Sequence, residues 1–250
     1  MNVSLYQAAA AMNANSRWQE LISENLADSS VPGARKQDVS FSAVVSGLHS
    51  SQFGLNSERV VMPSARGVLN FSQGEINPTG VATDFAVDGP GFIQVQMPNG
   101  NPAFTRDGEL HVNAQGQLVT KRGFAVAGDG GAPIQLDPNN SAPMTVSASG
   151  QVSQGGEAKG HIKLVEFKDP HALTIMGQGY YMAANKAQKP DDAQSTAIRQ
   201  GYLEGANTSP TVEMSSLITA MRMFESNQKV LQMQDDRMGQ VITSLGGTGS

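Results

Sequence analysis

From Ser209 to Leu245 the chain steps through Met214, Leu217, Met221, Phe224, Gln228, Leu231, Asp235, Met238, Ile242 and Leu245, alternating three and four residues without a slip. That is the heptad spacing of a helix seam, and only Gln228 and Asp235 are polar on it. Pro210 suits the first helical position after Ser209 as N-cap, Glu213 suits the positive end of the helix dipole, and the glycines after Leu245 stop the helix. At 1.5 Å per residue this predicts a rod of about 50 Å. A rod with so narrow an apolar seam needs a partner along its length. The opening of the chain repeats the pattern at Leu5, Ala8, Met12, Asn15, Gln19, Ile22 and Leu26, with Trp18 and Leu21 beside the seam. It predicts a second long helix from Val3 to about Ala27, ended by a turn at Pro32 and Gly33.

Between the helices the period changes. Residues 31–65 are mixed and Ser-rich and are expected to form an extended connector. From Arg66 to Lys186 apolar and polar positions alternate in short runs such as GVLNF, DFAVDG, GFIQVQM, PAFTR, ELHVN, QLVTK and HIKLVEF. Turn sequences cut the runs: Pro98-Asn99-Gly100, Asp107-Gly108, Gln115-Gly116 and Gly128-Asp129-Gly130-Gly131. Short strands with glycine turns predict an antiparallel β domain over 66–186. Residues 187–208 return the chain to the helical part, so 1–30 and 209–250 together form the terminal helical domain. The expected fold is therefore mixed α and β. A central antiparallel β domain comes from a continuous middle segment, and the long N- and C-terminal helices flanking it in sequence pair as a coiled-coil-like domain.

Composition narrows the partners. In 250 residues the charged fraction is 16%, the hydrophobic fraction 39%, and there are 27 Gly and 12 Pro, which suits a turn-rich β body better than disorder. A net charge of -5 without a basic cluster argues against nucleic acid. Without cysteine there is neither disulfide nor thiolate chemistry. The opening segment lacks the basic start and sustained apolar region of a cleaved secretory signal, and no run is long enough to span a membrane.

Candidate chemistry is thin. His49, His111, His161 and His171 are scattered, with no metal-ligand spacing. The clusters Gly89-Pro90-Gly91 and Gly177-Gln178-Gly179 lack the third glycine of a dinucleotide loop and read as hairpin turns. Ser226 and Lys229 match Ser-x-x-Lys, but inside the terminal helix and without a supporting motif. The pairs Asp107/Glu109 and Asp191/Asp192 read as loop carboxylates rather than an acid-base couple. No catalytic, cofactor or metal residue is assigned, and no cofactor is expected.

Four passages carry a resemblance. Asn25-Leu26-Ala27 followed by Val31-Pro32-Gly33-Ala34 resembles the amino-terminal signature of flagellar rod and hook proteins, with Thr and Phe of that family's Thr-Pro-Gly-Phe turn replaced. The β region opens on Thr79, Gly80, Asp84, Phe85, Ala86, Val87, Gly89, Gly91 and Phe92, which is similar to the family's next passage. Phe104, Thr105, Arg106, Asp107 and Gly108 resemble its Tyr-Thr-Arg-Asp-Gly hairpin. Leu203, Glu204 and Asn207, with Glu213 and Met214, resemble its carboxy-terminal signature. The resemblance runs from end to end and implies a structural axial subunit of the bacterial flagellum; the length and single β region look more like a proximal or distal rod subunit, with a hook-type axial subunit as the alternative within the family. It implies as partners copies of itself, other rod and hook subunits and the flagellar type III export apparatus, with delivery to the basal body without a cleaved signal peptide.

On that reading the mechanism is association. The self-assembly seam comprises Leu5, Ala8, Met12, Ile22 and Leu26 with Met214, Leu217, Met221, Phe224, Leu231, Met238, Ile242 and Leu245. Burial there is worth roughly 25 cal/mol per Å². The polar seam residues Asn15, Gln19, Gln228 and Asp235 either fix register or face solvent. The alternative is a secreted or surface β-domain binding protein whose end helices only cap it. A third possibility, an enzyme, would need a pocket of converging polar groups.

Overall fold

The computed structural model describes residues 3–46, 60–138, 140, 142–183 and 190–246. His49 and part of the connector lie outside them. The chain forms two compact units: Met1–Glu24, Gln37–Val68 and Pro210–Ser250 make the first, Asn25–Lys36 and Leu69–Ser209 the second.

The first unit holds most of α1 (Val3–Asp28), whose last turn from Asn25 belongs to the second, all of α2 (Pro210–Gly246), and a two-stranded sheet of β1 (Gln37–Ser46) and β2 (Val60–Leu69, its last residue in the second unit). Much of the expected connector is thus strand. Its Val and Phe residues are good strand formers, and pairing satisfies their backbone groups, as an unpaired extended segment does not. At 37 residues α2 is about 55 Å long. The helices pack together: the side-chain amide of Gln19 lies 3.4 Å from the carbonyl of Ala220, which is fully buried. The sheet covers α1 elsewhere. Trp18 meets Phe41 edge-to-face at 5.9 Å, and a Cβ on Gly67 would run into Leu21 and Gln37.

The second unit is built on short strands: β3 (Ile76–Pro78), β4 (Phe85–Asp88), β5 (Phe92–Gln96), β6 (Pro102–Thr105), β7 (Leu110–Val112), β8 (Leu118–Thr120), β9 (Ala125–Val126), β10 (Met144–Val146), β11 (Gln151–Gln154), β12 (Glu157–His161), β13 (Leu164–Glu166), β14 (Leu173–Gly177), β15 (Tyr180–Ala183), β16 (Asp191–Asp192), β17 (Ala197–Gln200) and β18 (Tyr202–Glu204). The largest sheet runs β14-β15-β6-β5-β9-β8-β7, with β13 also paired to β5 and β16; its described pairings are all antiparallel. A second sheet is β10-β11-β12. The return segment 187–208 is more than a linker, because β17 pairs with β4 and β18 with β3.

Strand period explains the core. Ile93 and Val95 enter one cluster with Phe85, Val87, Leu118, Val126 and Tyr180, while Phe92 joins another with Phe104, Val165, Phe167, Leu173 and Tyr181. Neighbouring residues on a strand point to opposite faces, so a sheet covered on both faces needs runs of apolar residues rather than strict alternation. That is why β5 reads Phe-Ile-Gln-Val. The second cluster is aromatic and edge-packed, with Phe104 and Phe167 at 4.8 Å and Phe92 and Tyr181 at 5.7 Å.

Turns are set by local chemistry. The Asn113 carboxamide oxygen accepts from the backbone N–H of Gln115 at 3.0 Å and of Gln117 at 2.8 Å, closing the turn between β7 and β8. Gly108 is needed for another reason than a left-handed φ, which it does not have. A Cβ there would collide with the backbone carbonyl of Phe85, whose own N–H donates to the Gly108 carbonyl at 3.0 Å. Gly108→Ala is expected to destabilise the second unit by about 2–4 kcal/mol, since the obstacle is backbone and cannot swing aside. Urea unfolding followed by tyrosine fluorescence measures it, and an unchanged midpoint would remove the close approach as the reason for glycine.

Candidate functional site

The motif residues, scattered over the sequence, meet in the second unit around the carboxylate of Glu204, which is fully buried at the end of β18. Its Oε1 accepts from Arg35 Nη2 at 2.6 Å and from the Gly74 backbone N–H at 2.8 Å; its Oε2 accepts from Arg106 Nη1 at 3.1 Å. The Glu204 backbone carbonyl accepts from the Gly33 N–H at 2.7 Å. One residue therefore binds the turn after α1, the hairpin after β6 and the strand approach to β3.

Asn207 repeats the arrangement three residues on. Its Oδ1 accepts from the Lys36 backbone N–H at 2.7 Å, and its Nδ2 donates to the carbonyls of Asn70 at 2.8 Å and Ser72 at 3.0 Å. Its own backbone N–H donates to the Ala34 carbonyl at 3.2 Å, and the Asn70 N–H to the Lys36 carbonyl at 3.0 Å. Residues near positions 36, 70 and 207 are where the chain enters or leaves this unit, so the carboxamide ties three of its passages together.

The Val31-Pro32-Gly33-Ala34 turn presses on the same place. Gly33 has φ +67°, and a Cβ on it would meet the Arg106 backbone. Ala34 is buried, and Tyr181 Oη accepts from the Arg35 N–H at 3.1 Å. Burial pushes the Tyr181 hydroxyl up to about 12 and lowers Arg106 to about 10, the latter helped by the neighbouring charge of Arg35. Arg106 also donates to the Gly89 carbonyl and lies 5.2 Å over the Phe92 ring.

The rest of the Thr-Arg-Asp-Gly hairpin is a hydrogen-bonded turn. Thr105 Oγ1 donates to the Gly179 carbonyl at 2.9 Å and accepts from the Asp107 N–H at 3.0 Å, while Asp107 Oδ1 accepts from the Glu109 N–H at 3.0 Å. Burial first, then the charges of Glu109 and Asp84, raise the Asp107 carboxyl from 3.8 to about 6. The adjoining cavity of about 490 Å³ is lined by Asp28, Pro32, Glu109, Arg122 and Tyr180 among others, with charges of both signs.

The other candidates stay apart. His161 Nδ1 lies 3.2 Å from Asp129, and His171 packs on Phe71. Among the described residues no group of three or more His, Cys, Asp or Glu could hold a metal. No described helix is long and apolar enough to cross a membrane.

In the first unit, the covered face of α1 includes buried Asn15 and Ile22, with Ala8, Met12 and Gln19 partly covered; Leu26, also partly covered, belongs to the second unit. On α2 Glu213 and Ala220 are buried and Leu217, Phe224, Asn227, Leu231 and Gln234 partly covered, in one row again at three-four spacing. Leu217, Phe224 and Leu231 belong to it. Met214, Met221 and Met238, also on the sequence seam, are 56%, 53% and 45% exposed. The side chains of Leu5, Ile242 and Leu245 lie outside the described ones.

Sequence reasoning missed Arg35. A basic residue in a polar turn reads as solvated, and only its place after Pro32-Gly33 marks it.

Two outcomes test this site. Glu204→Gln leaves two buried guanidiniums without their anion and is expected to cost about 3–5 kcal/mol. A loss under 1 kcal/mol in denaturant unfolding would show that the cluster does not hold the unit together. For Asp107, the folded state binds the proton more tightly than the unfolded chain. Its stabilising contribution is full below about pH 4 and is lost as pH rises through about 6. Asp107→Asn keeps the oxygen that accepts from Glu109, so the variant is expected to be more stable than the parent above pH 6 by up to about 3 kcal/mol. Melting curves between pH 4 and 8 check this; parallel curves for parent and variant would refute it.

Comparison with known proteins bears on the whole chain. The model of the family described as "Flagellar hook protein FlgE/F/G D1 domain" matches residues 86–154, and that described as "Flagellar basal body rod FlgEFG protein C-terminal" matches residues 199–245. The flagellar basal-body rod protein FlgF of Caulobacter vibrioides is 33% identical over 249 residues, covering 98% of this chain and 99% of its own. FlgF of Mesorhizobium japonicum is 31% identical over 246 residues, with 98% and 99% covered. FlgG of Bacillus subtilis is 27% identical over 259 residues, with 96% and 97% covered.

Proposed function

Because the chain belongs to the flagellar basal-body rod protein family, and is a structural axial subunit of the rod and not an enzyme, we propose that it assembles through a seam its two long helices share between themselves and neighbouring subunits. The observation that carries this is the division of the α2 seam. Leu217, Phe224 and Leu231 sit with Ala220 on the face covered within the chain, and Met214, Met221 and Met238 stand exposed. With Ile218, Met223 and Met233 also exposed, α2 displays far more apolar surface than a solvated helix needs. Methionine is flexible and polarisable, which lets one row meet neighbours in several settings along a helical assembly. Repeating a head-to-tail contact gives an open helical structure, and torque passes along it as shear between packed helices. Its partners are copies of itself and other axial rod and hook proteins.

Delivery by the flagellar type III export apparatus, without a cleaved signal peptide, completes the proposal and rests on the family alone. A strain lacking that apparatus is expected to keep the subunit at full length in the cytoplasm.

The two faces of α2 behave differently on substitution. Met221→Asp is expected to change monomer stability by less than about 0.5 kcal/mol and to abolish assembly and motility. Phe224→Asp is expected to cost about 1–3 kcal/mol in the monomer as well. Sedimentation and swimming assays score assembly, and calorimetry scores stability. A motile Met221→Asp strain would overturn the assignment of the exposed face to neighbours.

A further inference from the structure

Four places in the chain put a glycine after Asp or Asn: Asp88-Gly89, Asn99-Gly100, Asp107-Gly108 and Asp129-Gly130. There the backbone nitrogen of a residue without a side chain lies within ring-closing reach of the side-chain carbonyl carbon before it. The folded chain treats the four differently. Asp88 is held by Arg199 Nη2 at 2.6 Å, and a Cβ on Gly89 would meet the Ser195 carbonyl. Asp107 is buried, and Gly108 is wedged against the Phe85 carbonyl. The Asp129 side chain is 70% exposed and 3.2 Å from His161 Nδ1, but a carboxylate resists attack at its carbon far more than a carboxamide does. Of the four, Asn99-Gly100 alone joins a carboxamide to open surroundings. Both residues are exposed at the tip of the hairpin between β5 and β6, and nothing stands within 4 Å of where a Gly100 Cβ would be. Asn99 Oδ1 accepts from the Asn101 N–H at 3.0 Å, which folds the carboxamide back along the chain past Gly100 and draws electron density from its carbon. One bond restrains the Gly100 nitrogen, its N–H to the Met97 carbonyl at 2.9 Å, and at an exposed loop tip such a bond opens readily.

We propose that Asn99 is a site of self-modification, converting without an enzyme to aspartate and isoaspartate. The Gly100 nitrogen gives up its proton to solvent base and bonds to Asn99 Cγ; the Cγ–Nδ2 bond breaks, and the amide nitrogen leaves as ammonia with a proton from water. Water then opens the cyclic imide. Attack at Cγ breaks the new bond and leaves aspartate, while attack at the Asn99 main-chain carbonyl leaves the chain running through Cβ and Cγ. The balance is one water in and one ammonia out, with no change of oxidation state. Either product adds a negative charge to a chain of net charge -5, and isoaspartate adds a carbon to a hairpin tip that the Met97 N–H closes onto the Asn101 carbonyl at 3.0 Å. The site lies in the second unit and is independent of how the helices assemble.

The full chain is kept folded in mildly alkaline buffers beside a sample held unfolded in urea, and both are followed by isoelectric focusing and peptide mapping. An acidic form is expected to accumulate in proportion to hydroxide concentration, with the mass gain of exchanging –NH2 for –OH on the peptide that carries Asn99, and with isoaspartate at that position. The rate at Asn99 in the folded chain is expected within about threefold of the unfolded rate, because the hairpin tip opens at little cost. Isomerisation at Asp107 is expected in the unfolded sample only. Asn99→Gln moves the carbonyl carbon one bond away from the Gly100 nitrogen and is expected to abolish the acidic form while keeping the melting midpoint of the parent. An intact Asn99 in the folded chain, at a time when the unfolded sample has converted, overturns the proposal. So does an acidic form that accumulates at the parent's rate in Asn99→Gln, which would place the reaction at another residue.

Discussion

A buried carboxylate is tolerated when its oxygens are fully engaged, and Glu204 meets that demand with donors from three distant parts of the chain. The second unit is assembled from segments that are remote in sequence, residues 25–36 beside residues 69–209, and apolar contact alone does not dictate which segment lies where. Directional bonds do. Arg35, Gly74 and Arg106 have one place each at Glu204, and Lys36, Asn70 and Ser72 one place each at Asn207. Burying such charges is a poor way to gain net stability, since an apolar cluster of the same volume often does as well. What the arrangement supplies is register, where the passages of the chain enter the β unit.

This explains which features were legible. The long helices, the β body and the glycine turns follow from periodicity and turn chemistry, so they are readable locally. Leu203, Glu204 and Asn207 were singled out as motif residues, and so were Thr105 to Gly108, but their meeting point was not, because nothing in a linear pattern says that positions 35, 106 and 204 share a carboxylate. Gly108 shows the same limit. Its presence in a turn is readable, whereas its true constraint, the Phe85 carbonyl, exists only once two strands have come together. The segments 31–65 and 187–208 lack clear alternation and read as connections, yet they contribute β1, the first part of β2, β16, β17 and β18. β1 and β2 pair with each other, β17 with β4 and β18 with β3, each in a two-stranded sheet, and a strand so paired needs little pattern of its own, since its partner provides the hydrogen bonds.

The seam of α2 is the instructive partial reading. A three-four repeat puts Leu217, Phe224 and Leu231 in one row, and within the chain these three are partly covered, but the second row can fall on either side of it. Hydrophobicity selects Met214 and Met221, and the folded chain covers Glu213, Ala220, Asn227 and Gln234 instead. Close approach is the physical reason: the small Ala220 lets Gln19 of α1 reach the α2 backbone, which a methionine there would prevent. Met214, Met221 and Met238 are then left on the outside. In a solitary protein such a residue of exposed methionine would be a liability. In a subunit of a polymer the proposed assembly gives that surface a use, since one face of the helix serves its own chain and the other is free to meet a neighbour.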